Sequence, residues 1–163
     1  MDKQTEFIFA LTVAEQRGFL PFIVYVHAYH ETGGFVHPIG NNFFGLKPPT
    51  QIKPPREGWT GTKVLRTTHE TIKGTSVKLD DYFCDFATAA DCIQFYCFQI
   101  TRLFPFAYAN RQDPTKYFDG LFSGNLKFAT DLNYLPTIKK LYTHLLAEEP
   151  EKILGILKNE KAT

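Results

Sequence analysis

Apolar residues recur three and four positions apart at both ends of this chain, and give way between them to prolines and then to alternation. Residues 5–17 read as a first helix with Phe7, Leu11 and Ala14 on one face, ended by Gly18. A second helix runs from Pro21 to Glu31. Pro21 suits the first helical position, where its missing N–H would be unpaired anyway. Phe22, Val26 and Tyr29, or Ile23 and Val26, give this helix an apolar face, and Gly33-Gly34 stop it. Residues 35–60 hold five prolines with Gly40, Gly45 and Gly58, so they read as a long loop. A loop of that length beside Glu31 is expected to wall a site.

Residues 62–72 and 75–86 are rich in threonine and β-branched residues around Lys73-Gly74, and predict a β-hairpin. Alternation places Val64, Arg66, Thr68 and Glu70 on one face and Leu65, Thr67, His69 and Thr71 on the other. Neither face is cleanly apolar, so the hairpin reads as a solvent-facing lobe. Thr88 with Asp91 forms a capping-box pattern that opens a helix running to about Phe104. Its stripe of Ala89, Ile93, Tyr96, Ile100 and Leu103, widened by Phe95 and Phe98, marks it as the central core helix. Asp113-Pro114 starts a shorter helix closed by Gly120. Residues 133–147 read as a helix with Pro136 in its first turn, and 151–158 as a last helical segment. Helices, a small β lobe at about 60–86, then helices again define an α+β, mainly α chain, expected to form one domain over 1–163.

The composition narrows the function. A net charge of +1 over 163 residues gives no electrostatic case for nucleic acid or an anionic membrane. Aromatics reach 15%, enough to line a groove as well as a core. Cys84, Cys92 and Cys97 are odd in number and lack zinc-ligand spacing, so they read as buried free thiols suited to a reducing compartment. No cofactor or metal is called for. The N-terminus lacks a secretory pattern, and no apolar run approaches the roughly 20 residues that span a bilayer. The expectation is synthesis in the cytoplasm, with export or lysis needed to act outside.

Two carboxylates stand out. Glu31 sits beside an apolar helix face at the helix C-terminus, where the dipole disfavours negative charge. Its pKa is expected to rise, as a general acid requires. Glu70 lies on the hairpin. If the hairpin folds over the helix end, the two flank a cleft, which is the arrangement of glycosidic hydrolysis. Burial can lift a glutamate from about 4.3 towards 6. His27 and His30 lack a third ligand at helical spacing and read as packing or cleft hydrogen-bonding groups.

The ordered series His30-Glu31-Thr32-Gly33, Asn41 to Lys47 (NNFFGLK), Trp59-Thr60-Gly61, Thr68-His69-Glu70 and Phe128-Ala129-Thr130-Asp131 with Tyr134 resembles the glucosaminidase family of peptidoglycan hydrolases, glycoside hydrolase family 73. The resemblance spans about 20–145. It implies a lysozyme-like helical body, a small β-hairpin lobe and a cleft between them. It implies cleavage of the β-1,4 bond after N-acetylglucosamine in bacterial cell-wall glycan. By that resemblance Glu31 is the catalytic acid and Glu70 the β-lobe carboxylate, acting as base or as support. Asn42, Phe44 and Gly45 shape the cleft floor, and Trp59 is an aromatic near the lobe. Phe128 replaces the family's tyrosine and loses its hydroxyl, for which Tyr134 or Tyr108 can substitute. The partner implied is the peptidoglycan strand, met by a monomer acting as a phage endolysin or an exported lytic effector, the latter with an immunity or inhibitor protein. A muramidase, a lytic transglycosylase or a non-catalytic glycan-binding module are the alternatives.

Overall fold

The computed structural model describes residues 1–49, 55–72 and 75–148, without the side chains of 69–72 and 75–76. The first helices pack as a layer. Helix α1 (Lys3–Ala10) starts where the Asp2 carboxylate accepts from Thr5 N at 2.8 Å. The apolar pattern runs on without a break, but the helix does not. Leu11 N bonds back to Ile8 O at 3.1 Å, a tighter turn, and α2 (Thr12–Gln16) continues from it. The single helix read over 5–17 is therefore two. Helix α3 (Pro21–Glu31) has the predicted bounds, with Pro21 in its first turn.

The hairpin is strand β1 (Lys63–Ile72) paired antiparallel with β2 (Thr75–Cys84), in a register that sets Val64 opposite Phe83 and Thr68 opposite Leu79. Its described side chains are mostly exposed, as a lobe rather than a core sheet. Its base is tied to the body, because Cys84 N donates to Leu46 O at 2.9 Å.

Helix α4 (Ala89–Leu103) opens on the expected capping box, with Thr88 and Asp91 each bonding the other's backbone N–H. Its buried stripe runs from Ala89 through Ile93, Tyr96 and Ile100, and it packs on α1 and α2. Pro105 was expected only to stop this helix. It also opens a short helix, α5 (Pro105–Ala109), after a one-residue break at Phe104 (φ −128°, ψ 67°). Helix α6 (Pro114–Gly120) follows, capped by the Asp113 carboxylate on Lys116 N at 3.1 Å. Gly120 is needed for close approach rather than for a left-handed turn: a Cβ there would lie 2.4 Å from Ala107 N of α5. Helix α7 (Tyr134–Glu148) closes the body against α3 and α6. The segment read as helical over 151–158 and the Lys73-Gly74 turn lie outside the described residues.

The core is aromatic. Phe7 lies 4.8–5.8 Å, ring centre to ring centre, from Phe35, Phe43 and Phe44, and Phe44 stacks on Tyr96 at 3.9 Å. Cys84, Cys92 and Cys97 are buried free thiols, and burial pushes all three up in pKa. Among the described residues no helix is long and apolar enough to cross a membrane.

Candidate active site

Helix α3 ends abruptly, and the manner of its ending presents Glu31. Thr32 is buried, and its hydroxyl donates to Ala28 O at 2.7 Å while accepting from Phe35 N at 2.9 Å. Gly33 (φ 60°), Gly34 (φ 78°) and Phe35 (φ 65°) then take three left-handed conformations in succession. Glycine accepts this freely; Phe35 does so with its ring buried against Phe7 and Tyr25. The chain turns away and leaves Glu31 at the edge of a cavity of about 1100 Å³.

That cavity lies between the helical body and the hairpin. Helix α4 contributes Tyr96, Gln99 and Ile100 to one wall, and the hairpin contributes Thr68 and Phe83 to another. The loop after α3 supplies Phe44, Gly45 and Lys47, and the segment before α7 supplies Phe128 and Asp131. The lining mixes apolar side chains with charges of both signs. A sugar offers the same two faces, C–H surface and hydroxyls.

Glu31 keeps only 20% of its side-chain surface exposed. Burial pushes its pKa from 4.5 up to about 7, opposed by the hydroxyl of Tyr134, which donates to Oε1. A carboxyl in that state is partly protonated near neutral pH. His27 Nε2 lies 3.8 Å from the same oxygen, within ion-pairing distance. The contact is not an ion pair, because complete burial, with His30 beside it, lowers His27 to about 3 and leaves the ring neutral. His27 instead bonds through both nitrogens, to Tyr134 Oη at 2.8 Å and Tyr96 Oη at 2.5 Å. The sequence offered packing or cleft hydrogen bonding for His27; the structure shows hydrogen bonding, in the core behind the cavity rather than in its lining. His30 is half-buried, with its ring edge-on to Tyr134 at 4.6 Å. Burial lowers its pKa while Asp131 raises it.

The sequence-predicted residues divide between the cavity and its supports. Glu31, Phe44, Gly45 and Phe128 line the cavity, and Tyr134 touches it through Glu31. Phe128 has no hydroxyl to offer; its ring packs against His27 at 4.3 Å, tilted by 56°. The hydroxyl expected to be missing at 128 is supplied to Glu31 by Tyr134. Asn42 is buried behind the floor. Its amide donates to Leu46 O at 2.9 Å and Cys84 O at 3.0 Å, and its carbonyl accepts from Leu46 N at 3.0 Å. It fastens the Phe44-Gly45 turn to the hairpin base. Trp59 is not among the cavity-lining residues: it is buried, donates to Thr62 O at 2.7 Å and borders a second cavity of about 670 Å³ with Asp85 and Asp91. Tyr108 is also elsewhere, its ring 4.3 Å from the Arg111 guanidinium and 6.0 Å from Phe19. Glu70 lies on β1 opposite Val77, two residues from cavity-lining Thr68, with its side chain outside the described residues. Asp131, a cleft carboxylate, was named from sequence only within a motif, with no role. The Phe-Ala-Thr-Asp motif was the signal available for it.

A mainly helical body, a two-stranded lobe and a cleft lined by the largely buried Glu31 define a lysozyme-like α+β fold. No protein-family model and no curated protein matches the chain by sequence. Among solved structures it is similar to a peptidoglycan hydrolase mutant from Sphingomonas sp. A1, at 19% identity and a TM-score of 0.67, over 92% of each chain. It is similar to the C-terminally truncated glycoside hydrolase domain of FlgJ from Salmonella typhimurium, at 21% identity and 0.65, over 90% of this chain and 97% of that one. The catalytic domain of the autolysin Auto from Listeria monocytogenes follows at 16% and 0.61, over 87% and 84%. At these identities the likeness is one of fold, and it is the fold that the motif series implied.

Proposed function

We propose that this chain is a peptidoglycan hydrolase, an endo-β-N-acetylglucosaminidase that cleaves the β-1,4 bond after N-acetylglucosamine with Glu31 as general acid. The observation that carries this reading is a glutamate raised to about 7 by burial, standing in the cleft of a fold shared with peptidoglycan hydrolases. Glu31 gives its proton to the glycosidic oxygen, the C1–O bond breaks with its electron pair on that oxygen, and the leaving sugar departs as an alcohol. Water adds its oxygen to C1, and its spare proton goes to a carboxylate. Glu70 is assigned that role, or the support of the cationic sugar. Half-buried Phe128 offers apolar surface to sugar C–H groups, and Asp131 offers charge beside it. The enzyme acts as a monomeric cell-wall lytic agent, an endolysin or an exported effector.

The test is digestion of purified peptidoglycan followed by mass spectrometry of the products. A reducing N-acetylglucosamine end is expected, and Glu31→Gln should abolish its release. A reducing muramic acid end or an anhydro sugar would replace this reading with a muramidase or a lytic transglycosylase. Wall binding without any cleavage would replace it with a glycan-binding module.

A further inference from the structure

Behind Glu31 a single file of hydrogen bonds runs into the core. The Tyr134 hydroxyl donates to Glu31 Oε1 and lies 2.8 Å from His27 Nε2. His27 Nδ1 lies 2.5 Å from Tyr96 Oη, which lies 2.5 Å from Tyr117 Oη. His27, Tyr96 and Tyr117 are wholly buried, and Tyr134 nearly so. Each tyrosine brings one O–H proton, and the neutral imidazole brings one N–H. The file has four links, and two orders fill them all: pointing towards Glu31 the four protons suffice, whereas pointing away the first link needs the proton of Glu31 and that of Tyr117 is left over.

The far end decides between them. Among the described residues Tyr96 is the only hydrogen-bond partner of the Tyr117 hydroxyl. With the file pointing away from Glu31, the Tyr117 proton would be stranded in the core without an acceptor, an unmet bond of the kind that native interiors avoid. With the file pointing towards Glu31, Tyr117 donates to Tyr96, Tyr96 to Nδ1, Nε2–H to Tyr134, and Tyr134 to Oε1. Every proton then has an acceptor. No donor among the described residues reaches Oε2 of Glu31.

We propose that His27 is a positioning residue, held as its Nε2–H tautomer by Tyr96 and Tyr117, which commits the one proton of Tyr134 to Oε1 of Glu31 and so reserves Oε2 as the oxygen that carries the transferable proton. The inference rests on the reading of Glu31 as the acid for its purpose, but not for its geometry. A carboxylic acid whose proton could sit on either oxygen would present it to the cleft only part of the time. The ordered file removes that choice from the side facing the core.

The experiment is nitrogen-detected NMR of the histidine side chains in the full chain, with His27 assigned by its disappearance in His27→Gln. The expected signature at neutral pH is a neutral ring protonated on Nε2. A ring protonated on Nδ1, or an even mixture, overturns the proposal whatever the activity. Tyr96→Phe should convert the single tautomer to a mixture, and an unchanged tautomer there would also overturn it. Kinetics supply the second arm. His27→Gln can accept from Tyr96 and donate to Tyr134, so it should keep kcat within about threefold, whereas His27→Leu should lose tenfold or more in kcat with KM unchanged. Equal losses in both variants, or a loss confined to KM, would reduce His27 to packing. The two readings fail separately: an inactive wild type with the Nε2–H signature removes the glycosidase and keeps the file, and an active wild type with Nδ1–H does the reverse.

Discussion

Glu31→Gln tests the acid by a route independent of any substrate. The folded protein holds this carboxyl at about 7 against an ordinary 4.5, because ionising it in place leaves charge away from water. At about 1.36 kcal/mol per pH unit that difference is worth about 3 kcal/mol. The sign follows from linkage. Below pH 4.5 folded and unfolded chains both hold the proton, and the group is neutral to stability. As pH rises through the interval up to about 7, the unfolded chain sheds a proton that the folded one keeps, and stability falls. Above about 7 the full deficit is present. Glutamine has the same shape, still offers Oε1 to Tyr134, and never ionises. The variant should therefore match wild type near pH 4 and exceed it by about 3 kcal/mol at pH 8, or roughly 6–12 °C in Tm for a chain of this size. Thermal melts at pH 4, 6 and 8 read the gap directly. A gap that does not grow with pH, or a wild type that is the more stable at pH 8, would refute the buried, proton-holding carboxyl. Loss of activity alongside gained stability is the trade expected of a functional group held in an unfavourable place.

Three further variants probe the supports. Tyr134→Phe removes the bond that holds Glu31 down, so the alkaline limb of the rate profile should move to higher pH by about one to two units, from about 1.5–3 kcal/mol for a hydrogen bond to a charged group; a limb that stays or moves down contradicts this. Asn42→Ala strips Leu46 and Cys84 of their partners and should cost about 2 kcal/mol while raising KM through a loosened Phe44-Gly45 turn, read by urea titration and by kinetics. Gly120→Ala drives a methyl to 2.4 Å from Ala107 N, so α5 and α6 must part, with an expected loss of about 1–3 kcal/mol in the same titration.

What the sequence disclosed and what it withheld divide along one line, the separation of interacting residues in the chain. Pro21 with Gly33-Gly34, and Thr88 with Asp91, announce α3 and α4 because caps and stops are local. The break at Leu11 was hidden because the apolar pattern is continuous across it. Helix α5 was hidden because Pro105 signals a stop and a start with the same ring. In the site, Glu31 was legible from its own turn of helix. Its partners were less so: Tyr134 is 103 residues away, and His27 reaches Tyr96 across 69 and Tyr134 across 107. No periodicity within α3 distinguishes a histidine packed on leucines from one strung between two tyrosines. Trp59 and Tyr108 are placed outside the cavity, aromatics whose type suits a groove but whose contacts lie at the hairpin base and within the body.

The neutrality of His27 is as much a condition of the raised pKa of Glu31 as burial is. Were the ring protonated, a positive charge would stand 3.8 Å from Oε1. At an effective dielectric of about 20 that attraction is about 4 kcal/mol, or about three pH units, enough to erase the whole rise of Glu31. Burial is the main thing that forbids it, with His30 adding to the effect. Part of that burial is the ring of Phe128, centred 4.3 Å away, which packs against the histidine. Phe128→Ala should admit water to His27 and raise its pKa towards 6.5. Where the imidazolium forms, Glu31 ionises more readily, and the two groups titrate as a coupled pair. The alkaline limb should then move to lower pH, the reverse of the shift expected from Tyr134→Phe. Two truncations of neighbouring rings with opposite shifts cannot both arise from general loosening of the cleft. Shifts in the same direction would mean that the charge state of His27 does not govern Glu31.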